Sequence, residues 1–130
     1  MSQNRPPTAQ NSSDDLLPTE CRDDVLVMPP SGNLGEFVVG ELESETQNVL
    51  NTFETSGCNH LVIDFCNTDY FGSSALGMFV RIWKKVQQRK GTMALCNLTA
   101  HEVEVLKVTR LNEFWRIRES LPEALASIKD

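Results

Sequence analysis

Residues 61–77 read LVIDFCNTDYFGSSALG, and this stretch predicts a strand, a connection and the beginning of a helix. Residues 61–66 are nearly all apolar, as in a strand that is covered on both faces of its sheet. Residues 67–71 are predicted to form a short loop. From Ser73 the apolar residues follow helical spacing, which predicts a helix to about Arg89. A buried strand that leads into a helix in this way is typical of an α/β fold.

The same alternation of strands and helices extends along the chain in both directions. Further strands are predicted at residues 25–28, 37–40, 93–96 and 114–117, and further helices at about 44–55, 99–109 and 120–128. The last two helices begin with a Ser or Thr followed three residues later by Glu, which is the capping-box pattern. The first two strands are expected to pair as a hairpin, or to lie side by side with a wide loop.

The resulting element order is β-β-α-β-α-β-α-β-α, and helices between strands imply right-handed crossovers. We therefore predict a single α/β domain. Its mixed, mostly parallel sheet should have about five strands, with about four helices packed largely on one face.

Length and composition agree with one domain at residues 23–130, preceded by a disordered tail at residues 1–22. The chain has 130 residues, of which 40% are hydrophobic and 23% charged, and this excludes a wholly disordered protein. Residues 1–22 carry few apolar side chains to offset the entropy of ordering them. No apolar run has the roughly 20 residues that a membrane span needs, and the N-terminus lacks the features of a secretory signal.

Charge and cysteine content exclude several classes of function. The net charge of −6 disfavours a nucleic-acid partner, because phosphate contacts need surplus Lys and Arg. The four cysteines show no metal-ligand spacing, so we predict no metal site, no cofactor and a reduced, cytoplasmic location. No phosphate-cradling glycine loop or catalytic triad is present, so we predict that the protein is not an enzyme.

The Ser73-Ser74 pair at the predicted helix start is the clearest candidate site. A helix N-terminus presents unpaired N–H groups and a partial positive charge, and both stabilise a phosphate. A Ser in the first turn can therefore be phosphorylated with little cost to the fold, and the added charge would change what binds there. The alternative is that Ser73 only caps the helix, since Ser is a common cap.

Charge is distributed unevenly between the two halves of the chain. Residues 25–72 contain seven acidic residues and no Lys or Arg, whereas residues 73–118 contain nine basic and three acidic residues. One face of the predicted 73–89 helix carries Arg81, Lys84, Lys85, Gln88 and Arg89. This face is either a solvated surface or a patch that steers a complementary protein surface towards the domain.

Several of these stretches, in order and at the right spacing, resemble the STAS domain of bacterial anti-sigma-factor antagonists. The family motif is a buried strand ending in Val/Ile-Asp, a short loop, and then Asp-Ser-Ser-Gly-Leu-Gly at the start of a helix. The stretches that carry the resemblance are 39–42, 61–65, 72–77, 91–97, 105–111 and 120–125. The resemblance covers about residues 23–128.

The resemblance implies a non-enzymatic regulatory protein that binds an anti-sigma factor, often a serine kinase, and so releases a sigma factor. In the family, phosphorylation of the second Ser of the motif by the kinase separates the complex, and a serine phosphatase restores the binding form. On this basis Ser74 is the predicted phosphoacceptor. The predicted partner-binding residues are Gly72, Ser73, Ala75 and Gly77 from the motif, and Arg81 from the basic helix face.

Two residues depart from the family motif. Gly72 stands where the family usually has Asp, and Ala75 stands where Gly is usual. Both changes flank the Ser pair and bear on phosphorylation rather than on the fold. They leave a second interpretation open, a phosphorylation-independent STAS scaffold or a module that senses a small ligand or nucleotide.

Overall fold

The computed structural model describes residues 20–33, 39–70 and 73–129, and its centre is a five-stranded sheet. The sheet order is β1-β2-β4-β6-β7, and β3 pairs with β5 in a separate two-stranded sheet. The strands are β1 (Glu20–Arg22), β2 (Val25–Met28), β3 (Ser31–Asn33), β4 (His60–Asp64), β5 (Asn67–Tyr70), β6 (Met93–Cys96) and β7 (Arg116–Arg118). The α-helices are α1 (Val39–Ser56), α2 (Ser73–Gln88), α3 (Ala100–Val108) and α4 (Leu121–Lys129), and a 3-10 turn spans Leu111–Glu113.

The sheet is mixed and mostly parallel, which confirms the predicted architecture. β1 pairs with β2 in an antiparallel hairpin, whereas the three remaining pairs of the five-stranded sheet are parallel. The hairpin turns through Asp23 and Asp24, and Asp23 adopts a left-handed φ of 55°. β1 begins at Glu20, inside the segment predicted as a tail, and residues 1–19 lie outside the described residues.

The strand predicted at residues 37–40 is wrong where the structure describes it. Val39 and Gly40 form the first turn of α1, and residues 37 and 38 lie outside the described residues. The apolar residues of the predicted 44–55 helix keep their helical spacing back through Val39, so the segment joins that helix. The antiparallel partner of β2 is therefore β1.

The loop predicted at residues 67–71 is also wrong in part, because residues 67–70 form β5. This strand pairs in parallel with β3, and the register shifts between Gly32 and Asn33. The pairing joins segments about 35 residues apart, and both are short and polar. Neither segment has the alternating apolar pattern by which strands are recognised in a sequence.

The core has two layers, because the strands bury side chains on both faces of the sheet. Helices α1, α2 and α3 cover the larger layer, whereas α4 covers the smaller layer on the opposite face. Strand residues of the larger layer are Leu26, Met28, Leu61, Ile63, Met93 and Leu95, and those of the smaller layer are Val25, Val27, Val62, Ala94 and Cys96. The burial of both faces explains the continuous apolar runs, and the predicted placement of helices largely on one face is confirmed.

We expect Thr99→Ala to lower the free energy of unfolding by about 1 kcal/mol. The capping box is complete at the start of α3: the Thr99 hydroxyl accepts from the Glu102 N–H at 3.2 Å, and the Glu102 carboxylate accepts from the Thr99 N–H at 2.9 Å. Urea denaturation would measure the loss. Thr109→Ala, at the other end of the same helix, is the control. The Thr109 hydroxyl donates to the carbonyl oxygens of Val105 and Leu106 within the helix, and it does not accept from an N–H group of the first turn as Thr99 does.

Candidate functional site

The candidate site is the end of the molecule at which α1 and α2 both begin. β3 leads towards α1 and β5 leads towards α2, so the small two-stranded sheet precedes both helices. The two helices run in the same direction, because Arg81 of α2 pairs with Glu43 of α1 and Lys85 pairs with Glu54 further along. Their positive N-terminal ends therefore lie at one end of the fold.

The first turn of α2 contains the Ser pair, and its N–H groups have no partners within the helix. No acidic residue lies in this turn, so no carboxylate within the turn itself offsets the positive end of the helix. Ser73 and Ser74 open the helix, while Gly72 and the side chains of both serines lie outside the described residues. The phosphoacceptor role of Ser74 stays a prediction.

Ala75 and Gly77 lie on opposite sides of this turn. The Ala75 methyl group is fully buried in the larger core layer, so it fixes the turn to the core and does not present a contact surface. Gly77 is exposed, and a Cβ atom added there would meet no atom within 4 Å. The surface beside Gly77 is therefore open, as a close approach by another molecule would require.

The basic face of α2 is engaged largely within the chain. An Arg81 Nη1 donates to the Glu43 carboxylate, and Lys85 Nζ lies 3.0 Å from a Glu54 carboxylate oxygen. Arg89 also donates to the Glu54 carbonyl oxygen at 2.8 Å. Basic side chains of α2 are thus paired with acidic side chains of α1, which accounts for part of the uneven charge distribution in the sequence. Arg81 keeps 44% of its side-chain surface exposed and can still be reached from outside.

The carboxylate of Asp64 ties together the ends of two central strands close to the connection that leads to α2. It is 6% exposed and accepts from the Cys66 N–H at 3.0 Å and from the Asn97 amide at 2.8 Å. Asn97 follows β6 in a left-handed conformation with φ of 60°. Asn tolerates this conformation better than most residues do. An Asn directly after a predicted strand is therefore a signal of this turn that was not used in the prediction.

We expect the Cys96 thiol to make stability fall at alkaline pH. Burial, followed by the charge of Asp64, raises the pKa of Cys96 to about 12 from an ordinary value of 9.0. A thiol whose pKa is raised by folding stabilises the fold below the unfolded value and loses that contribution as pH rises from about 9 to about 12. Urea denaturation between pH 8 and pH 12 should therefore show a shallower decline for Cys96→Ala than for the parent. Parallel declines would contradict this assignment.

Within the described ranges, no group of three or more His, Cys, Asp or Glu side chains could hold a metal ion. In the same part of the chain, every helix is too short or too polar to cross a membrane.

Comparison with known proteins identifies the family. The STAS domain model matches residues 17–124, and the chain belongs to this family. An anti-sigma F factor antagonist of Paenibacillus polymyxa is 24% identical over 95 residues, covering 69% of this chain and 81% of the relative.

Solved structures show the same fold. A STAS-domain protein of Planctomyces limnophilus, described as an anti-sigma-factor antagonist, has a TM-score of 0.66 at 27% identity, with 88% of this chain and 98% of that chain covered. A candidate anti-sigma factor antagonist of Thermotoga maritima has a TM-score of 0.77 at 23% identity, with 88% and 95% covered. The predicted family and fold class are confirmed.

Proposed function

We propose that this protein is an anti-sigma-factor antagonist, a regulatory binding protein of the cytoplasm and not an enzyme. In this proposal it binds an anti-sigma factor that is also a serine kinase. The partner phosphorylates Ser74, the complex separates, and a serine phosphatase restores the binding form. The family match and the relatives with this role support the general class.

The observation that carries the proposal is the surface along the outer side of α2. Gly77 and Arg81 are both exposed, and position 74 precedes them by three and seven residues. Residues at these spacings lie on one face of a helix. The buried residues of α2 occur at different positions, Ala75, Met78, Phe79, Ile82 and Val86. A partner seated on Gly77 and Arg81 would therefore cover position 74 as well.

Phosphorylation at this position has a direct physical consequence. A phosphate adds about −1.5 to −2 charges and three acceptor oxygens. The positive end of α2 stabilises that charge, so the fold tolerates the modification. A partner whose surface fits the unmodified turn would have to desolvate the new charge, and the complex would separate.

The two departures from the family motif affect this step differently. Ala75 places its methyl group in the core, so the change from Gly adds no bulk on the outer surface. Gly72 removes the carboxylate that the family usually places before the Ser pair. We therefore expect slower phosphorylation than with Asp at this position, and Gly72→Asp should accelerate it.

Mass spectrometry with the anti-sigma kinases of the same organism tests the proposal. Incubation with ATP should add one phosphate, about 80 Da, to the parent and to Ser73→Ala, but none to Ser74→Ala. The Ser74→Asp variant, which mimics the phosphorylated form, should bind the kinase at least about tenfold more weakly than the Ser74→Ala variant. Failure of every such kinase to bind the parent protein would refute the proposal.

The alternative is a STAS scaffold or a small-ligand or nucleotide sensor that works without phosphorylation. The specific observation in its favour is Gly72, which leaves the Ser pair without its usual carboxylate neighbour. Equal partner binding by the parent, Ser74→Ala and Ser74→Asp would support this alternative. Nucleotide binding by calorimetry, without hydrolysis, would distinguish the sensor from the scaffold.

A further inference from the structure

We propose that Cys21 and Cys58 are a redox-active pair that forms a reversible intramolecular disulfide, which fixes the edge strand β1 to the end of α1. The two Sγ atoms lie 3.2 Å apart, although the residues are 37 positions apart in the sequence. Both cysteines are free thiols in the structure. A disulfide has an S–S length of about 2.04 Å, so a movement of about 1.2 Å would complete the bond.

The fold holds Cys58 in a defined position. Gly57, with φ of 78°, ends α1 and turns the chain towards β4. The Cys58 N–H then donates to the Ser56 hydroxyl at 3.1 Å, and that hydroxyl donates to the Phe53 carbonyl at 2.8 Å. The Cys58 side chain is 3% exposed within the larger core layer. Its sulfur is therefore fixed and has little access to solvent.

The β1–β2 hairpin holds Cys21 against this sulfur. Cys21 lies opposite Leu26 in the antiparallel pair. The hairpin turn is bound to the residues after Cys58, because the Asp24 carbonyl accepts from the N–H groups of Asn59 and His60 at 3.2 and 3.1 Å. Hydrogen bonds thus restrain the chain on both sides of the sulfur contact, while the exposed Cys21 can be reached by a small molecule.

The different accessibility of the two thiols sets the order of the chemistry. The oxidant is a low-molecular-weight disulfide. The Cys21 thiolate attacks one of its sulfurs, forms a mixed disulfide and expels one small thiol. Cys58 then attacks the Cys21 sulfur and displaces the second small thiol, which leaves with the Cys58 proton. The two protein thiols are oxidised by two electrons in total, and the small disulfide is reduced to two thiols.

The surroundings of the pair indicate that thiol–disulfide exchange at Cys21 is slow. The hydrogen bond with Cys58, followed by burial, raises the pKa of the Cys21 thiol above its ordinary value. Most of the Cys21 thiol is therefore protonated at neutral pH, and only its small thiolate fraction reacts. The disulfide should form over hours at pH 8 and should revert when a reducing dithiol is added.

Mass spectrometry of the full chain tests the proposal. Reduced protein incubated with oxidised glutathione should lose about 2 Da as a monomer and keep two of its four alkylatable thiols. Trypsin and an Asp-specific protease together cut after Arg22 and before Asp64, which separates the peptides of Cys21, Cys58 and Cys66. A Cys21–Cys58 peptide that disappears on reduction supports the pair. A Cys66–Cys96 link, an intermolecular dimer or a stable glutathione adduct as the main product would overturn it.

Variants and stability give an independent reading. Cys66→Ser should oxidise as the parent does, whereas the exposed Cys21→Ser should form no internal disulfide and should fold normally. The oxidised parent should melt about 10 °C higher than the reduced protein, because the bond closes a long loop. Backbone amides of β1 should exchange more slowly in the oxidised form. An unchanged melting temperature together with unchanged exchange would show that the bond does not restrain β1.

Discussion

Phe79→Ala is expected to lower the free energy of unfolding by about 3–5 kcal/mol. Phe79 is fully buried on the inner face of α2. Its ring lies edge-on to Phe65 at 5.5 Å and to Trp115 at 6.5 Å between centroids, so the substitution opens a cavity lined by large, rigid neighbours. Guanidinium denaturation followed by circular dichroism would measure the loss. Phe79 also fixes the second turn of α2 to the core. The apparent affinity for a partner should therefore fall as the fraction of folded protein falls.

Phe114→Ala is the matched control for this prediction. Phe114 is 56% exposed, and its ring contacts Trp83 with 5.2 Å between centroids. The same change of residue should therefore cost less than about 1 kcal/mol, because little area is withdrawn from the core. Equally small losses of unfolding free energy for Phe79→Ala and Phe114→Ala would show that the burial of Phe79 contributes little to the stability of the core.

The central strands and most helix boundaries could be predicted from local patterns. β2 and β6 coincide with the predicted strands 25–28 and 93–96, because strands buried on both faces have continuous apolar runs. The predicted capping box at Thr99 is present with both of its hydrogen bonds. These features depend on neighbours within a few residues, which is the range over which sequence patterns are reliable.

Features that depend on distant partners could not be predicted in the same way. β1 is a three-residue polar edge strand and has no apolar alternation, although it pairs fully with β2. β3 and β5 are also short and polar, and each forms a strand by pairing with the other. The contact between Cys21 and Cys58 depends on the hairpin meeting the end of α1, which no spacing in the sequence indicates.

The candidate site shows the same division between local and distant information. The helix start at Ser73 was predicted from a local motif, and α2 begins there. That Ala75 faces the core and Arg81 pairs with Glu43 depends on how α2 packs against the sheet and α1. The sequence indicated an acidic half and a basic half, and the structure shows that basic side chains of α2 pair with acidic side chains of the adjacent α1.

Gly91→Ala is expected to cost about 3 kcal/mol or more, at the upper end of what overpacking produces. Gly91 follows the end of α2, where its N–H donates to the Val86 carbonyl at 3.0 Å. A Cβ atom at this position would overlap the backbone carbonyl of Asn59 and would lie 3.1 Å from a Val86 methyl group. A backbone carbonyl beside β4 cannot rotate away as a side chain could. Thermal and chemical denaturation should both show the loss.

Gly77→Ala is the matched control, and it separates stability from binding. The added methyl group meets nothing within 4 Å, and Ala is the better helix former, so stability should rise by about 0.5–1 kcal/mol. If a partner packs against this open surface, the same methyl group should weaken its binding about tenfold, since an overpacked contact costs about 1–3 kcal/mol. Stabilisation without any change in affinity would place the partner elsewhere on the domain. Destabilisation would show that the surface beside Gly77 is covered within the chain itself.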